Sequence, residues 1–406
     1  MKYRNALLLV AVISASSCRV KLQQHHFPNP VNTTNKEISF QEKKIYPVGD
    51  FINIDNEFDG ARLTNLIVHN ESFVSAFTAP ENEPINSSPW YAFRITTSEN
   101  AINDSITIKI NYPQKYKHRY WPKISYDRKN WTQIDSTSLK ISGDTSAVEL
   151  KIKLVTDTIF IAAQPIISSR SVADWSQKLA KNKHVAASSI GTSLKGREIP
   201  HLKIGSGKKT IAIVSRQHPP EVTGFVALQY FLDEILDNAI ADEFLKEYCL
   251  LVYPLMNPDG VDLGHWRHNA AGVDLNRDWA YYRQPEVKAV VTHLVNSVNA
   301  ENLELQLGLD FHSTWYDIYY TTDRSLKTKN MSFTDQWFEY IEGNIDGYKV
   351  RDAPSGLRSP VSKGWFVAQF NVPGITYEIG DDTSHEFIKI KSSVAAEGLM
   401  KILLAK

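Results

Sequence analysis

Four ionisable side chains stand at comparable places in the second half of the chain, and their types suit metal chemistry. His218 and Glu221 lie in the string Arg-Gln-His-Pro-Pro-Glu after one apolar run, and His312 and Glu378 stand at the ends of two others. Two imidazoles and one carboxylate form the ligand set of a catalytic zinc ion, whose fourth position binds water. The remaining carboxylate, Glu378, is then a candidate base for that water. A single loop histidine is usually structural, but the joint placement favours a metal site.

Hydrophobic patterning predicts the elements that must position these residues. After about residue 170, buried apolar runs alternate with helical stretches, which is typical of an α/β domain with a mostly parallel sheet. The predicted strands are 211–215, 249–255, 305–311 and 374–378, and the predicted helices are 222–236 and 286–298. Ligands bind outside the carboxyl ends of strands in such sheets, so the four side chains should converge there.

The first half of the chain follows a different pattern, with apolar residues at period two. Short segments of this kind are separated by Pro, Asn, Gly and Asp, and they are predicted as strands at 61–68, 72–77, 90–96, 105–111, 123–126, 147–154 and 158–162. Short strands with closely spaced turns and no convincing helix indicate a β-sandwich.

The N-terminus has the order of a secretory signal. Basic residues come first, then an apolar run at 6–13 and small residues at 14–17, directly before Cys18. This order resembles a bacterial lipoprotein signal, in which the cysteine is acylated; a plain signal peptide with a chance cysteine is the alternative. We therefore expect a signal peptide at 1–17, a lipid-anchored polar tether at 18–37, and a place in the bacterial cell envelope, on the periplasmic side or the cell surface.

Composition narrows the class of protein. The chain has 406 residues, of which 42% are hydrophobic and 22% charged, which is typical of globular domains. Lys plus Arg and Asp plus Glu both number 45, so the net charge of zero lacks the basic footprint of a nucleic-acid-binding protein. No nucleic-acid partner is expected. No run of about eighteen apolar residues predicts a transmembrane helix, and two cysteines give no disulfide framework.

A polar segment at 257–279 carries groups that suit carboxylate recognition. Arg267 and Arg277 offer guanidinium forks, which bind planar anions in bidentate fashion, and Asn276 adds a directional donor. Charged residues in a loop are usually only solvated. The neighbouring metal motif favours the alternative that they form a binding pocket.

Several motifs in order resemble the zinc metallocarboxypeptidase (funnelin) family over about residues 170–400. They are His-x-x-Glu, Asn-Pro-Asp-Gly, Trp-Arg, Gly-Val-Asp-x-Asn-Arg, a strand-end His-Ser and a later strand-end Glu. The aromatic-rich segments at 90–94 and 121–131 make the first half similar to the β-sandwich of the cytosolic carboxypeptidase subfamily, with an unrelated sandwich as the alternative. The predicted fold is therefore a carboxypeptidase-like α/β domain at 169–406, with a mostly parallel mixed sheet flanked by helices, preceded by an all-β sandwich at 38–168.

The resemblance implies a role for each matching residue near the metal. His218, Glu221 and His312 would bind one Zn²⁺ per chain, and Glu378 would be the general base. Asp274 matches the aspartate that accepts a hydrogen bond from a ligating imidazole and so fixes its tautomer.

Further roles concern the substrate. Arg267 would polarise the scissile carbonyl, while Asn276 and Arg277 would hold the terminal carboxylate of a peptide. Two departures from the family affect binding: Pro220 stands where digestive members carry an arginine, and the substrate-capping tyrosine has no clear match, with Tyr348 as a stand-in.

Lys363 aligns with the position at the bottom of the pocket for the C-terminal side chain. A partly buried ammonium without a partner is costly, so a lysine here favours C-terminal Glu or Asp. The alternative is that Lys363 turns to solvent or pairs with a nearby acid such as Asp381 or Asp382.

These features together predict a zinc carboxypeptidase that acts on the C-termini of peptides or proteins and is held at a membrane through Cys18. Two alternatives remain open. One is a peptidase for cell-wall stem peptides, whose acidic and D-configured ends also present carboxylates. The other is a non-catalytic lipoprotein that binds glycan or peptide.

Overall fold

A computed structural model describes residues 19–405; the predicted signal peptide and Cys18 lie outside this range. The first half contains two sheets, which pack through apolar residues such as Ile95 and Ile161 from one and Ile108 and Leu150 from the other, all 0% exposed. Its described strands are β1 (Ile45–Val48), β2 (Ile52–Asp55), β3 (Asn65–Asn70), β4 (Phe73–Phe77), β5 (Ala92–Thr97), β6 (Ser105–Asn111), β7 (Lys123–Ser125), β8 (Thr132–Gln133), β9 (Leu139–Ile141), β10 (Ala147–Lys153) and β11 (Thr158–Ala162).

The strand orders are β1-β2-β5-β11-β7-β8 and β3-β4-β6-β10-β9. Each of the seven predicted segments contains or overlaps an observed strand. Four further strands, β1, β2, β8 and β9, were not predicted, because runs of two to four residues are too short to show a period. The all-β sandwich is confirmed.

The second half is an α/β domain. Its described elements are α1 (Ser169–Leu179), β12 (Val185–Thr192), β13 (Glu198–Gly205), β14 (Lys209–Ser215), α2 (Val222–Asp237), α3 (Ala241–Glu247), β15 (Tyr248–Tyr253), α4 (Pro258–Asp262), α5 (Pro285–Glu301), β16 (Glu304–Thr314), β17 (Ile318–Thr322), α6 (Phe333–Asn344), β18 (Asp352–Ser355), α7 (Ser362–Phe370), β19 (Gly374–Gly380) and α8 (His385–Leu404). The predicted boundary at 168/169 falls between β11 and α1.

The sheet of this domain is mixed, in the order β12-β13-β15-β14-β16-β19-β17-β18. Its centre, β15-β14-β16-β19, is parallel, whereas β12–β13 is an antiparallel hairpin and β17 runs antiparallel to β19. Alternate residues of β14 face opposite sides: Ile211 and Ile213 belong to the apolar cluster that includes α2 and α8, and Ala212 and Val214 to the cluster that includes α5 and α7. Helices on both faces explain why the strands read as continuous apolar runs.

The predicted tether is docked on the α/β domain. Residues 20–36, here called the N-terminal strap, form neither helix nor strand. Val20 exchanges two backbone hydrogen bonds with the Asn299 amide, both at 2.8 Å. Phe27 is only 7% exposed and contacts the first turn of α7. The segment is thus polar as predicted, but it is a bound strap and not a free linker.

Among residues 19–405, no helix combines the length and the apolar character needed to cross a membrane. The cysteine in this range, Cys249, is a buried free thiol.

Candidate metal centre and substrate cleft

His218 and Glu221 lie on the loop that joins β14 to α2. The Glu221 N–H donates to the His218 carbonyl at 3.3 Å, and α2 begins at the next residue, Val222. This tight turn brings His218 Nδ1 within 2.8 Å of Glu221 Oε1. Both side chains are buried, so the pair faces the interior of the cleft and not bulk solvent.

His312 and Glu378 lie inside neighbouring strands. The strand ends predicted at Phe311 and Glu378 were wrong, because β16 continues to Thr314 and β19 to Gly380. The two strands stay paired in parallel beyond the apolar runs, and His312 is the register partner of Glu378. The pairing places the two side chains next to each other on the sheet.

The three predicted metal ligands lie together. His218, Glu221 and His312 form the one group of three or more potential ligands found among residues 19–405, with ligand atoms within 4.8 Å of one another. The Glu221 carboxylate lies between the rings, because its Oε2 is also 2.6 Å from His312 Nδ1. Both imidazoles thus direct Nδ1 toward one carboxylate.

A second carboxylate lies behind each imidazole. Asp274 Oδ1 is 2.9 Å from His218 Nε2, as predicted, and Asp310 Oδ2 is 2.8 Å from His312 Nε2. Carboxylates only accept hydrogen bonds, so they favour a proton on each Nε2 and leave the Nδ1 lone pairs for the centre. Converging lone pairs and a carboxylate need a cation between them, and nitrogen and oxygen donors of this kind fit zinc.

Electrostatic effects in the cluster are large. Burial raises the pKa of Glu221, but the adjacent His218 and His312 outweigh it and hold this pKa well below its usual value. Burial alone lowers the pKa of His312, while Asp310 and Glu221 raise it well above the usual range. The site therefore holds a negative carboxylate that attracts positive charge.

Glu378 is distinct from the three ligands. Its Oε2 atom is buried and has no hydrogen-bond partner among the described residues. Burial raises its pKa to about 8; the neighbouring Glu221 and Asp310 raise it too, and His312 opposes them. A cation held by the three ligands would lower this pKa, and the unpartnered oxygen could then accept a proton at neutral pH.

Arg267 is held over the centre by both halves of the protein. Its Nε donates to Asp274 Oδ2 at 2.8 Å, and its Nη1 lies 3.9 Å from Glu221 Oε1. The loop that carries it donates three backbone N–H groups to Glu81, a sandwich residue that is 0% exposed. These bonds come from Trp266, Arg267 and His268, at 2.7, 3.0 and 2.6 Å.

Asn276 and Arg277 lie on a 3₁₀ turn (Leu275–Arg277) next to the ligands. The Asn276 amide nitrogen is 3.3 Å from His312 Nε2, and its oxygen accepts the Ser362 N–H at 3.0 Å. The Arg277 side chain is 34% exposed; its Nη1 donates to the Asn276 carbonyl at 2.8 Å, whereas its Nε and Nη2 make no hydrogen bond with residues 19–405. Both residues line the same cavity as the metal ligands.

Lys363 lies at the start of α7 and is 6% exposed. Its Nζ donates to the Thr321 carbonyl at 2.8 Å and to Ser355 Oγ at 2.6 Å. Lys363 does not face solvent, and Asp381 and Asp382, the acids named above, pair with residues of the sandwich instead. Lys363 lines the site cavity and makes no ion pair with residues 19–405. Burial lowers its pKa to about 8, although the more distant Asp352 and Asp323 raise it.

The cavity that joins these groups measures about 470 Å³ and is lined by residues that sequence reasoning missed. Asn29 lies in the strap, Asn86 and Arg119 lie in the sandwich, Tyr320 lies on β17, and Arg358 lies on the loop before α7. Tyr348 does not line this cavity; it borders a neighbouring groove. A larger cavity, of about 840 Å³, lies where the sandwich meets α1 and α2, and none of the predicted site residues lines it.

Proteins with similar sequences occur in bacteria and in animals. The chain is 26% identical over 213 residues to an uncharacterized protein of Zymomonas mobilis, which covers 50% of this chain and 54% of that protein. It is 29% identical over 136 residues to cytosolic carboxypeptidase 6 of Mus musculus, covering 30% of this chain and 25% of the relative. The chain thus spans about half or less of these relatives.

Two solved structures share the fold over most of the chain. A metallo-carboxypeptidase from Burkholderia cenocepacia superposes with a TM-score of 0.72 at 16% identity, over 87% of this chain and 100% of that chain. A metallo-carboxypeptidase from Pseudomonas aeruginosa, solved in complex with (2-guanidinoethylmercapto)succinic acid, gives 0.68 at 18% identity, over 86% and 98%. At such low identity the likeness establishes the fold, including the β-rich first half.

Family membership rests on the sequence of the α/β domain. Residues 172–397 match the profile of the family described as zinc carboxypeptidase. The match begins within α1 and ends within α8, and so contains the three candidate ligands and Glu378. Since it covers more than half of the 406 residues, the chain belongs to the zinc carboxypeptidase family.

Proposed function

We propose that this protein is a zinc-dependent carboxypeptidase that removes the C-terminal residue from peptides or proteins. The observation that carries the proposal is the joint placement of His218, Glu221 and His312 with Glu378, a carboxylate whose Oε2 has no partner in the described chain. A non-catalytic binding lipoprotein has no need for such a base beside a complete ligand set.

The residues divide the chemistry between them. When bound, zinc supplies a water molecule whose pKa is lowered toward about 7. Glu378 accepts a proton at its free Oε2 and returns it to the departing amine. Arg267, fixed by Asp274, donates to the scissile carbonyl oxygen as negative charge develops there.

Recognition of a free C-terminus falls to Asn276 and Arg277. Arg277 contributes a guanidinium with free donors, and the Asn276 amide is fixed by Ser362. A C-terminal amide carries no charge for this clamp, so blocked peptides should resist cleavage. The Pseudomonas aeruginosa structure with the same fold was solved with a ligand that contains both a succinic acid and a guanidino group.

We further propose that the cleft prefers an acidic C-terminal residue. Lys363 is buried in it with only neutral hydrogen-bond partners. Arg358 lines the same cavity, and its guanidinium makes no hydrogen bond or ion pair with residues 19–405. A carboxylate on the substrate would give the buried Lys363 a closer counter-charge than Asp352 and Asp323 supply, and the exposed Arg358 would add a second attraction.

The reaction is tested on the purified full chain with peptides that differ only in a free, amidated or D-configured C-terminus. We expect release of one residue from the free L-form, loss of activity with a chelator, and recovery with Zn²⁺. Glu378→Gln should keep its zinc but lose at least about a hundredfold in turnover. Full activity of that variant refutes the mechanism, and preferential release of D-residues would favour the stem-peptide alternative.

The preference is tested with peptides that end in Glu, Lys or Phe. Lys363→Met keeps an unbranched side chain that is one atom shorter and removes its charge, and it should lower kcat/KM for the Glu peptide about tenfold to a hundredfold. Lys123→Met is the matched control, since Lys123 is also buried but does not line the cavity. A wild-type preference for Lys or Phe defeats the acidic preference.

We also propose that Cys18 is acylated and holds the protein at a bacterial membrane. The support is the order of basic, apolar and small residues before this cysteine. Wild type should then partition with membranes, and Cys18→Ala should not. Wild type found wholly in the soluble fraction with another N-terminus removes the proposal.

A further inference from the structure

The sandwich contributes a cation to the cleft. Arg119 lies on the loop between β6 and β7, yet its side chain lines the same cavity as His218, Glu221 and Arg267. Burial lowers the pKa of Arg119, but Tyr120, Asp381 and the metal-ligand candidate Glu221 together raise it above its usual value. No motif of the α/β domain marks this residue.

The Arg119 guanidinium is rigidly held. Its Nε donates to Asp381 Oδ2 at 2.7 Å, an ion pair whose members are 8% and 4% exposed. Its Nη1 donates to the Ser87 carbonyl at 3.0 Å and to Ser88 Oγ at 3.2 Å. The guanidinium carbon Cζ lies 5.0 Å from the centroid of the Trp315 ring, and Trp315 is 61% exposed. Such support fixes the group before any ligand arrives.

One amino group of this guanidinium is unused. Nη2 makes no hydrogen bond with residues 19–405, and it is not among the buried atoms that lack partners. It is therefore accessible, on a side chain that borders the cleft. Because Asp381 already balances the charge of Arg119, a neutral acceptor suits the free N–H bonds better than a second carboxylate does.

A peptide in the cleft supplies such an acceptor. Arg277 and Asn276 account for the terminal carboxylate and Arg267 for the scissile carbonyl. The next carbonyl toward the peptide N-terminus then needs a donor of its own, because an unpaired buried carbonyl is costly. Pro220, beside the ligand Glu221, has no donor to offer.

We propose that Arg119 binds this upstream carbonyl, so that the sandwich forms part of the substrate site. The inference rests on the proposed carboxypeptidase function, and it makes Arg119 a substrate-binding residue that acts on peptides long enough to reach it. Short substrates that lack the upstream carbonyl do not benefit from it.

The test compares two substrates, acetyl-Ala-X and propionyl-X, where X is the C-terminal residue that wild type cleaves best. They differ in the upstream amide alone. Arg119→Lys keeps a cation for Asp381 but loses the second amino group. It should lower kcat/KM for acetyl-Ala-X about tenfold or more, the scale of one charged hydrogen bond, and leave propionyl-X within about twofold.

Lys123→Met is the matched control for a purely structural role. It removes another ion pair between the sandwich and the α/β domain, with Asp382 at 3.2 Å, but Lys123 does not line the cavity, so it should lower the melting temperature without changing the ratio of the two rates. An equal loss on both substrates in Arg119→Lys, or no loss on either, overturns the assignment while the proposed function stands. If wild type cleaves neither substrate, the proposed function itself fails, and the inference with it.

Discussion

Glu81 offers a sharp test of how the two halves cooperate, because one buried sandwich carboxylate holds the loop of Arg267. Glu81 Oε1 accepts the N–H groups of Arg267 and His268, and Oε2 accepts that of Trp266. Burial raises the pKa of Glu81, but His265, His268 and Arg62 lower it below its usual value, and the bond from the His268 N–H acts in the same direction. The substitution Glu81→Gln keeps the shape and removes the charge.

The expected cost follows from counting donors. A glutamine has one acceptor oxygen, so it can serve two of the three N–H groups, and its NH₂ group faces the third. Losing one charge-assisted bond costs about 1.5–3 kcal/mol, and weakening the other two adds about 1–2 kcal/mol. Arg62, which is 2% exposed, also loses its nearby counter-charge. The total is about 3–5 kcal/mol, a large part of the stability of an ordinary domain.

The free energy of unfolding is measured by denaturant titration of the full chain, and kcat/KM is measured on folded protein. Both should fall in Glu81→Gln, the second because Arg267 loses the support of its backbone. Glu83→Gln is the control, since Glu83 lies two residues away in an exposed pair with Lys115 and should change neither quantity. A loss of stability below about 1 kcal/mol in Glu81→Gln would refute the account of this loop.

Three further predictions concern other parts of the site. Asp310→Asn should weaken zinc binding about tenfold to a hundredfold in a competition titration with a chelator, because an amide orients His312 less firmly; unchanged affinity would exclude this role. Gly224→Ala should lower the melting temperature and the zinc content, since a Cβ there would lie 2.3 Å from the His312 carbonyl oxygen. Wild-type values of both would show that β16 shifts to make room for the methyl group. Burial lowers the pKa of Lys391 to about 8, although Asp317 opposes it. The charged form is therefore penalised in the folded state below that pH, and the stability of wild type relative to Lys391→Met should rise between pH 8 and the usual pKa of 10.5; parallel pH profiles would contradict this.

The ligand-bearing elements could be predicted because their signals are local. The apolar period of α2 gave 222–236, and the helix spans Val222–Asp237. His218 and Glu221 stand three residues apart, so one turn determines their geometry. Strand ends were less predictable, since β16 continues through polar residues that show no apolar pattern.

Asp310 was missed although the sequence contains its signal. It precedes His312 by two residues in a strand, and residues two apart share a face. The motifs that resemble the family contain Asp274 but not Asp310. The alternation of side chains along a strand therefore predicts that Asp310 lies beside His312.

The sandwich residues at the site could not be predicted from local pattern. Glu81 lies in the polar string Pro-Glu-Asn-Glu-Pro, which is typical of an exposed loop. Its burial follows from three N–H groups 185 to 187 residues further along the chain. Arg119 likewise meets Asp381 across 262 residues. Contacts of this range depend on how the two halves dock.

The N-terminal strap imposes an order on biosynthesis. It precedes every other described element in the chain, yet its partners at Asn299 and on α7 are translated among the last. Phe27 therefore has no docking site until most of the polypeptide has been made, and such distant pairings form slowly. We expect the strap to close last, over the helix that carries Lys363. A chain that lacks residues 20–36 would then leave α7 uncovered, and with it the part of the pocket that Lys363 lines.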